Sequence, residues 1–223
     1  MSVAAHDLRN PIAVVRASAQ MAQRQLMRGD VDAARTRIGA IVDQTDRLTE
    51  MLETFLDAAR TAAERLPLRT EEIDVRELIE TAVDRSRTVS GERSERALEV
   101  DMPSTCVGMW DRARISRAMR ALIQNALLYG DPNTPLRVSV RTFGSDERVL
   151  IQVSGGGRGP DAEESAHLFE RFYRGRSAAE VGHAGSGLGL YTARGIVRAH
   201  GGDVRRSEAT DDTFEIELPL RPS

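Results

Sequence analysis

Residues 185–202 read GSGLGLYTARGIVRAHGG, a run of alternating glycines followed by an amphipathic stretch and a closing glycine pair. Gly185, Gly187 and Gly189 fall where a helix is predicted to begin, with Leu188 between the last two. Backbone amides at a helix start, together with the helix dipole, attract phosphate groups. Because a Gly-x-Gly-x-Gly pattern is weak by itself, its meaning depends on the rest of the chain.

Composition and charge exclude several classes of function. The 223 residues include 31 Lys or Arg and 34 Asp or Glu, a formal charge of −3 that predicts no nucleic-acid partner. No apolar run approaches the roughly 18 residues of a membrane span, and the N-terminus lacks a signal-peptide pattern. We therefore expect a cytoplasmic chain without membrane contact of its own, cut from a longer parent protein that can be membrane-anchored.

The first 66 residues carry a heptad-like apolar seam in two predicted helices, 2–28 and 31–65. Glycine and aspartate in the segment RGD (28–30) end the first helix and cap the second. A hairpin cannot bury such a seam alone, so we predict that two copies form a dimeric four-helix bundle. A monomeric hairpin resting on the second domain is the alternative. The seam positions are Leu8, Ile12, Val15, Ala19, Ala22 and Leu26, then Ala34, Ile38, Ile41, Thr45, Leu48, Leu52, Phe55 and Ala59.

Pro67 marks the predicted start of a second domain, residues 67–223, in which helical and strand patterns mix. The segments 97–102, 136–143 and 148–154 read as strands, and a terminal hairpin follows near 203–220. Helices are predicted over 75–86, 111–130 and 188–199. Antiparallel strands with helices on one face predict an α+β two-layer sandwich.

The segment HDLRNP (6–11) carries the first reactive group. With Leu8 and Ile12 on the seam, His6 and Asn10 lie four residues apart on the outward face of the helix. Asp7 also lies off the seam, and a carboxylate beside an imidazole can hold one tautomer and raise its nucleophilicity. An ordinary solvated surface histidine is the alternative for an isolated residue of this type.

Four segments together resemble the two-component sensor histidine kinases, over roughly residues 6–220. HDLRNP resembles their phosphoacceptor box, and ALIQNALLYG (121–130) resembles their N box. HLFERFYRG (167–175) resembles their F box, and residues 185–202 resemble their second glycine box and the helix after it. Two positions of the N box depart from the family pattern, Ala121 and Leu128, where Asn and Lys are usual.

The resemblance implies a Bergerat-type ATP-binding fold for the second domain, with ATP and Mg²⁺ as cofactors. It implies that His6 accepts the phosphoryl group, that Asp7 acts as acid–base partner and that Asn10 serves in dephosphorylating the regulator. Asn125 would hold Mg²⁺, and the implied partners are a second copy of the chain and a response-regulator receiver domain. The implied nucleotide-binding residues are Asn125, Tyr129, Gly155, Gly157, Gly159, Phe169, Phe172, Gly185, Gly187, Leu188 and Gly189.

The first glycine box is altered in SGGGRGP (154–160). Gly157 and Gly159 match the family's glycines, but Gly155 stands where the family has the aspartate that reads adenine. No acid nearby in the sequence replaces it, since Asp161 lies six residues on. Losing a hydrogen bond to a charged group weakens binding about 10- to 100-fold, so we expect weakened ATP binding. Two functions stay open: an active kinase, or a degenerate core acting as a dimeric scaffold or regulator phosphatase.

Overall fold

The computed structural model describes residues 3–62, 66–90, 96–144, 147–157, 159–176, 186–207 and 212–221, except for the side chains of residues 3–7 and 87–90. Two compact units divide the chain, the first comprising residues 1–57 and 184–186 and the second residues 58–183 and 187–223. None of the helices within these ranges combines the length and hydropathy of a membrane span.

The predicted helical hairpin consists of α1 (Val3–Met27) and α2 (Val31–Ala62). The amides of Gly29 and Asp30 bond the carbonyls of Leu26 and Gln25, each at 3.0 Å, and so close α1. The carboxylate of Asp30 then accepts the Ala33 amide at 3.1 Å, which caps α2. These bonds confirm the helix end and the helix cap that the segment RGD predicted.

The apolar seam of the hairpin is only half buried within one chain. Ala22 and Ala34 are buried, with 5% and 1% of their surface exposed. Ile12, Ile38 and Leu52, which occupy the alternate seam positions, remain 55%, 49% and 51% exposed. One apolar layer per heptad therefore packs inside the hairpin, while the next layer faces outward.

The second unit mixes helices with short strands. The predicted strands and helices of this region are all present, with ends that shift by a few residues, and β1 and β3 are additional strands. In chain order the elements are β1 (Glu71–Asp74), α3 (Val75–Ser90), β2 (Leu98–Asp101), β3 (Val107–Trp110), α4 (Arg112–Tyr129), β4 (Leu136–Phe143), β5 (Arg148–Ser154), α5 (Ala162–His167), α6 (Gly189–Ala199), β6 (Asp203–Arg206) and β7 (Thr213–Pro219).

The main sheet has the strand order β2-β4-β5-β7-β6, and β1 pairs with β3 in a separate two-stranded sheet. Every pair in the main sheet is antiparallel except β2–β4, which is parallel. The expectation of a purely antiparallel sheet is thus wrong at this edge. Between β2 and β4 the chain forms β3 and α4, and a crossover of this length lets two neighbouring strands run in the same direction.

The core lies between the main sheet and its helices, which confirms the two-layer α+β architecture. Helix α4 packs between α3 and α6 and also contacts β5. Alternate residues of the central strands are buried against these helices, as the period of two requires. The fully buried set includes Val138, Val140, Val149, Ile151, Val153 and Ile216 from the strands and Ile115, Met119, Leu122, Ile123 and Ile196 from the helices.

His200 ties the end of α6 to the start of α4. Its Nδ1 donates to the Ile196 carbonyl at 2.8 Å, and its Nε2 accepts the Asp111 amide at 3.0 Å, which requires a neutral ring. Burial lowers the pKa of His200, and the bond to Ile196 offsets this only in part. Asp111 in turn caps α4 through the Arg114 amide at 3.2 Å. These bonds fix the position at which α4, the helix that carries Asn125, begins.

Candidate functional site

The phosphoacceptor box lies within α1. His6 and Asp7 belong to this helix, while their side chains lie outside the described part of the structure. Asn10 is exposed, and Pro11 is accommodated inside the continuous helix. Because residues four apart share a helix face, His6 and Asn10 lie on the same face of α1.

Helix α4 carries the N-box asparagine and meets the start of α6 within the same box. Asn125 is half-buried on α4, four residues after Ala121 and on the same face. A Cβ added to Gly189, the first residue of α6, would lie 3.8 Å from the Ala121 Cβ, so the two helices meet at this point. Asn125 therefore lies one helical turn beyond the point where α4 meets the start of α6.

The F box and the second glycine box are in direct contact. The Phe172 amide donates to the Gly187 carbonyl at 3.0 Å, and Phe172 has a left-handed φ of 65°. A Cβ at Gly187 would come within 2.6 Å of the Phe172 and Tyr173 backbone, so only glycine allows this approach. Leu188 is buried directly after it, while Gly185 lies outside the described residues.

The two phenylalanines of the F box differ in environment. Phe169 is half-buried, with its ring edge-on to Phe214 at 6.4 Å and the Arg194 guanidinium 4.9 Å over its face. Asp203 holds that guanidinium through two bonds of 2.8 and 3.0 Å. Although burial raises the pKa of Asp203, hydrogen bonds from Arg194 and Arg198 hold this pKa well below its usual range. Phe172, by contrast, is 42% exposed and free of the core.

Gly155 lies against the C-terminal half of α4. A Cβ added to Gly155 would be 2.3 Å from the Ala126 carbonyl oxygen, and one added to Gly130 would be 2.4 Å from the Gly155 oxygen. Real Cβ atoms do not approach backbone that closely, so a side chain at position 155 requires the backbone to move. The altered glycine box therefore packs against α4 so closely that no space is left for a side chain at position 155.

Arg96 holds this arrangement, and sequence reasoning missed it. Its guanidinium is 6% exposed and donates to the carbonyls of Ala126 at 2.9 Å, Thr134 at 2.8 Å and Gly155. The Thr134 hydroxyl also donates to the Gly155 oxygen at 2.9 Å. No sequence pattern predicts that an arginine just before a strand is buried and bonds several carbonyls, because the partners of Arg96 lie 30 to 59 residues away.

The remaining predicted nucleotide residues line the same region. Tyr129, at the end of α4, is 37% exposed, and burial raises the pKa of its hydroxyl while Arg174 partly offsets the rise. Gly157 is exposed and lies beside Asp131, whose amide bonds the Gly156 carbonyl at 3.0 Å. Gly159 is half-buried just before α5. The N box, the F box and the second glycine box thus meet around α4 and the start of α6, and the altered first glycine box packs against the C-terminal half of α4.

Comparison with known proteins matches both parts of the chain. Residues 110–222 match the histidine kinase-, DNA gyrase B- and HSP90-like ATPase family, and residues 1–64 match the His kinase A phosphoacceptor domain. The protein described as "Probable sensor histidine kinase TcrY" of Mycobacterium tuberculosis is 31% identical over 97% of this chain and 44% of its own length. The swarming motility regulation sensor protein RssA of Serratia marcescens is 30% identical over 98% of this chain and 46% of its own.

Solved structures agree on the fold. The Acinetobacter baumannii histidine kinase AdeS superimposes with a TM-score of 0.66 at 22% identity, over 96% of this chain and 98% of that one. The helical hairpin and the two-layer domain are therefore those of a phosphoacceptor domain joined to an ATPase domain. The chain belongs to the sensor histidine kinase family. It spans less than half the length of the curated relatives it matches.

Proposed function

We propose that this chain is an active kinase core that transfers the γ-phosphoryl group of ATP to His6 and then to an aspartate of a response-regulator receiver domain. Residues 1–66 form the dimerisation and phosphotransfer hairpin in this proposal, and residues 67–223 form the nucleotide-binding domain. The observation that carries the proposal is the meeting of the N box, F box and second glycine box around α4 and the start of α6.

The nucleotide-binding residues present suit ATP. The amides at the start of α6, after Gly187 and Leu188, suit the phosphates. Tyr129 and Phe172 offer exposed aromatic surface. Asn125 offers an amide oxygen, a hard ligand of the kind that Mg²⁺ takes alongside nucleotide phosphates. Bound Mg²⁺ would neutralise phosphate charge there. Gly157, Gly159, Phe169, Gly185 and Gly189 complete the proposed nucleotide site.

The proposed reaction is a phosphoryl transfer in which an imidazole nitrogen of His6 bonds to the γ-phosphorus as the bond to the β–γ bridging oxygen breaks. The leaving group is ADP, and Asp7 takes the imidazole proton. In the second step a receiver aspartate replaces His6 on phosphorus. Since the protein forms few covalent bonds in such chemistry, positioning and charge neutralisation supply most of the rate.

A second copy of the chain is the proposed occupant of the exposed apolar layer on the hairpin. Ile12 on α1 and Ile38 and Leu52, two heptads apart on α2, are each about half exposed, whereas Ala22 and Ala34 are buried. Two hairpins brought together along this layer would bury it in a four-helix bundle. This regular placement supports a homodimer through the hairpin.

The double variant Ile38→Glu/Leu52→Glu is expected to be monomeric, because two carboxylates per chain would have to be buried at the bundle centre. Light scattering on the unmodified chain should give twice the mass of one chain, and the double variant should give a single mass. Gln20→Glu, which adds a carboxylate at an exposed position off the seam, should remain dimeric. A monomeric unmodified chain would contradict the homodimer.

Incubation with γ-labelled ATP and Mg²⁺ tests the kinase reaction. The chain should acquire acid-labile, base-stable label, and His6→Gln should acquire at least 100-fold less, because glutamine has no nitrogen that can take the phosphoryl group. His167→Gln is the matched control: His167 is exposed and pairs with Glu170 at 2.9 Å, and it is not among the residues proposed to bind the nucleotide or to react. This variant should be labelled like the unmodified chain.

Two results would contradict the proposal in different ways. Label that persists in His6→Gln would place the acceptor elsewhere. An unlabelled chain that still binds ATP and dephosphorylates a phosphorylated receiver domain would favour the degenerate core with phosphatase activity, the role in which Asn10 takes part.

A further inference from the structure

A carboxylate lies directly across the sheet from Gly155. Strands β5 and β7 are antiparallel, and Ser154 pairs with Thr213 at the end of their register. The next step outward along both strands brings Asp212 opposite Gly155. Counting along the sequence finds no acid near Gly155, but the sheet brings one from 57 residues away.

Asp212 bonds to both neighbours of Gly155. Its Oδ2 accepts the Gly156 amide at 2.7 Å and the Ser154 hydroxyl. Its Oδ1 accepts no hydrogen bond from any residue that the structure describes. A carboxylate offers about four acceptor positions, so an oriented acceptor remains at the glycine box. Asp212 as a whole is half-buried.

The other two acids near the glycine box are engaged in local turns. Asp161 caps α5 through the Glu164 amide at 2.8 Å and pairs with Arg176 at 2.9 Å. Asp131 accepts the backbone and side-chain nitrogens of Asn133 at 2.9 and 3.1 Å. Among the described acids around the box, Asp212 is the one fixed by the residues on either side of Gly155.

We propose that Asp212 is the residue that selects the purine base, by accepting a hydrogen bond from the exocyclic 6-amino group of adenine. It supplies from β7 the carboxylate that position 155 lacks at the end of β5. This inference rests on the proposed ATP-binding function and adds the residue that sets its specificity. Gly155 and Asp212 then act together, since Asp212 bonds the residues on both sides of the bare backbone at 155.

The test compares two nucleotides and three proteins in equilibrium binding measurements. The nucleotides are ATP and purine riboside triphosphate, which carries hydrogen in place of the 6-amino group. The proteins are the unmodified chain, Asp212→Asn and Asp131→Asn, the last being a control that neutralises the other acid beside the glycine box. Asparagine at 212 keeps an oxygen that can accept the Gly156 amide, and Asp212→Ser is a second variant with the same capacity.

The unmodified chain should prefer ATP over the analogue by about 10- to 100-fold, the range for a hydrogen bond to a charged group. Asp212→Asn should lose that preference, with weaker ATP binding and nearly unchanged analogue binding, while Asp131→Asn should keep it.

Three outcomes would overturn the inference. Equal losses of affinity for both nucleotides in Asp212→Asn and Asp212→Ser would show that Asp212 only holds the loop. Loss of the preference in Asp131→Asn instead would assign base selection to that acid. A chain that binds neither nucleotide would refute the proposed ATP binding itself, whereas ATP binding without any preference over the analogue would refute this inference alone.

Discussion

The variant Arg96→Leu is expected to lower the free energy of unfolding of the second unit by about 3–5 kcal/mol. The guanidinium is almost fully buried and bonds the carbonyls of Ala126, Thr134 and Gly155. Each buried carbonyl left without a donor costs about 1–3 kcal/mol, and the three costs overlap because the same loop can relax around all of them. Leucine fills part of the volume but donates nothing.

Urea unfolding followed by circular dichroism measures this effect. Arg96→Lys should recover only part of the loss, because one ammonium group cannot reproduce the fork of the guanidinium. Arg137→Leu is the control: Arg137 is exposed on β4, where its pair with Glu99 at 2.7 Å contributes less than about 1 kcal/mol. If the free energy of unfolding of Arg96→Leu were no lower than that of Arg137→Leu, the stabilising role assigned to Arg96 would be wrong.

The variant Gly155→Asp is expected to bind ATP no better than the unmodified chain and to be less stable by about 1–3 kcal/mol, the usual cost of overpacking. A comparison along the sequence alone favours the opposite result, since the substitution recreates the family's aspartate. In the folded chain the new Cβ would lie 2.3 Å from the Ala126 oxygen, while the Gly155 carbonyl is held by Arg96 and Thr134. The added carboxylate would also face Asp212, and two like charges at close range repel.

Thermal unfolding and ATP titration of the same protein samples test this prediction. Gly39→Asp is the steric control, because no atom lies within 4 Å of a Cβ added at Gly39 on α2. Its unfolding midpoint should fall by less than that of Gly155→Asp. Tighter ATP binding by Gly155→Asp, with an unchanged midpoint, would show that the glycine box opens freely and that Arg96 does not constrain it.

Local patterns predicted most of the architecture. The spacing of apolar residues predicted both hairpin helices, and the segment RGD predicted the turn and the cap that Asp30 supplies. Alternation of apolar residues predicted β4 and β5 with their ends, as well as the strands of the terminal hairpin. These features depend on residues within a few positions of one another, so their signal is contained in short windows of sequence.

The missed elements have a common cause. Strands β1 and β3 have four residues each and pair with one another across more than 30 positions, too short for a clear alternation. The parallel pairing of β2 with β4 depends on where the crossover through α4 returns the chain. Neither feature follows from the composition of the segment itself.

In the candidate site, too, some features follow from the sequence and others depend on the tertiary structure. The sequence by itself determined the boxes: the HDLRNP segment of α1, the asparagine on α4, the glycines at the start of α6 and the absence of an aspartate at Gly155. Only the tertiary structure decided how that absence is accommodated, because Arg96 bonds the Gly155 carbonyl from 59 residues away and Asp212 bonds Ser154 and Gly156 from 58 and 56 residues away. A sequence shows which side chain is missing at one position, whereas the fold decides which distant side chains pack around that position.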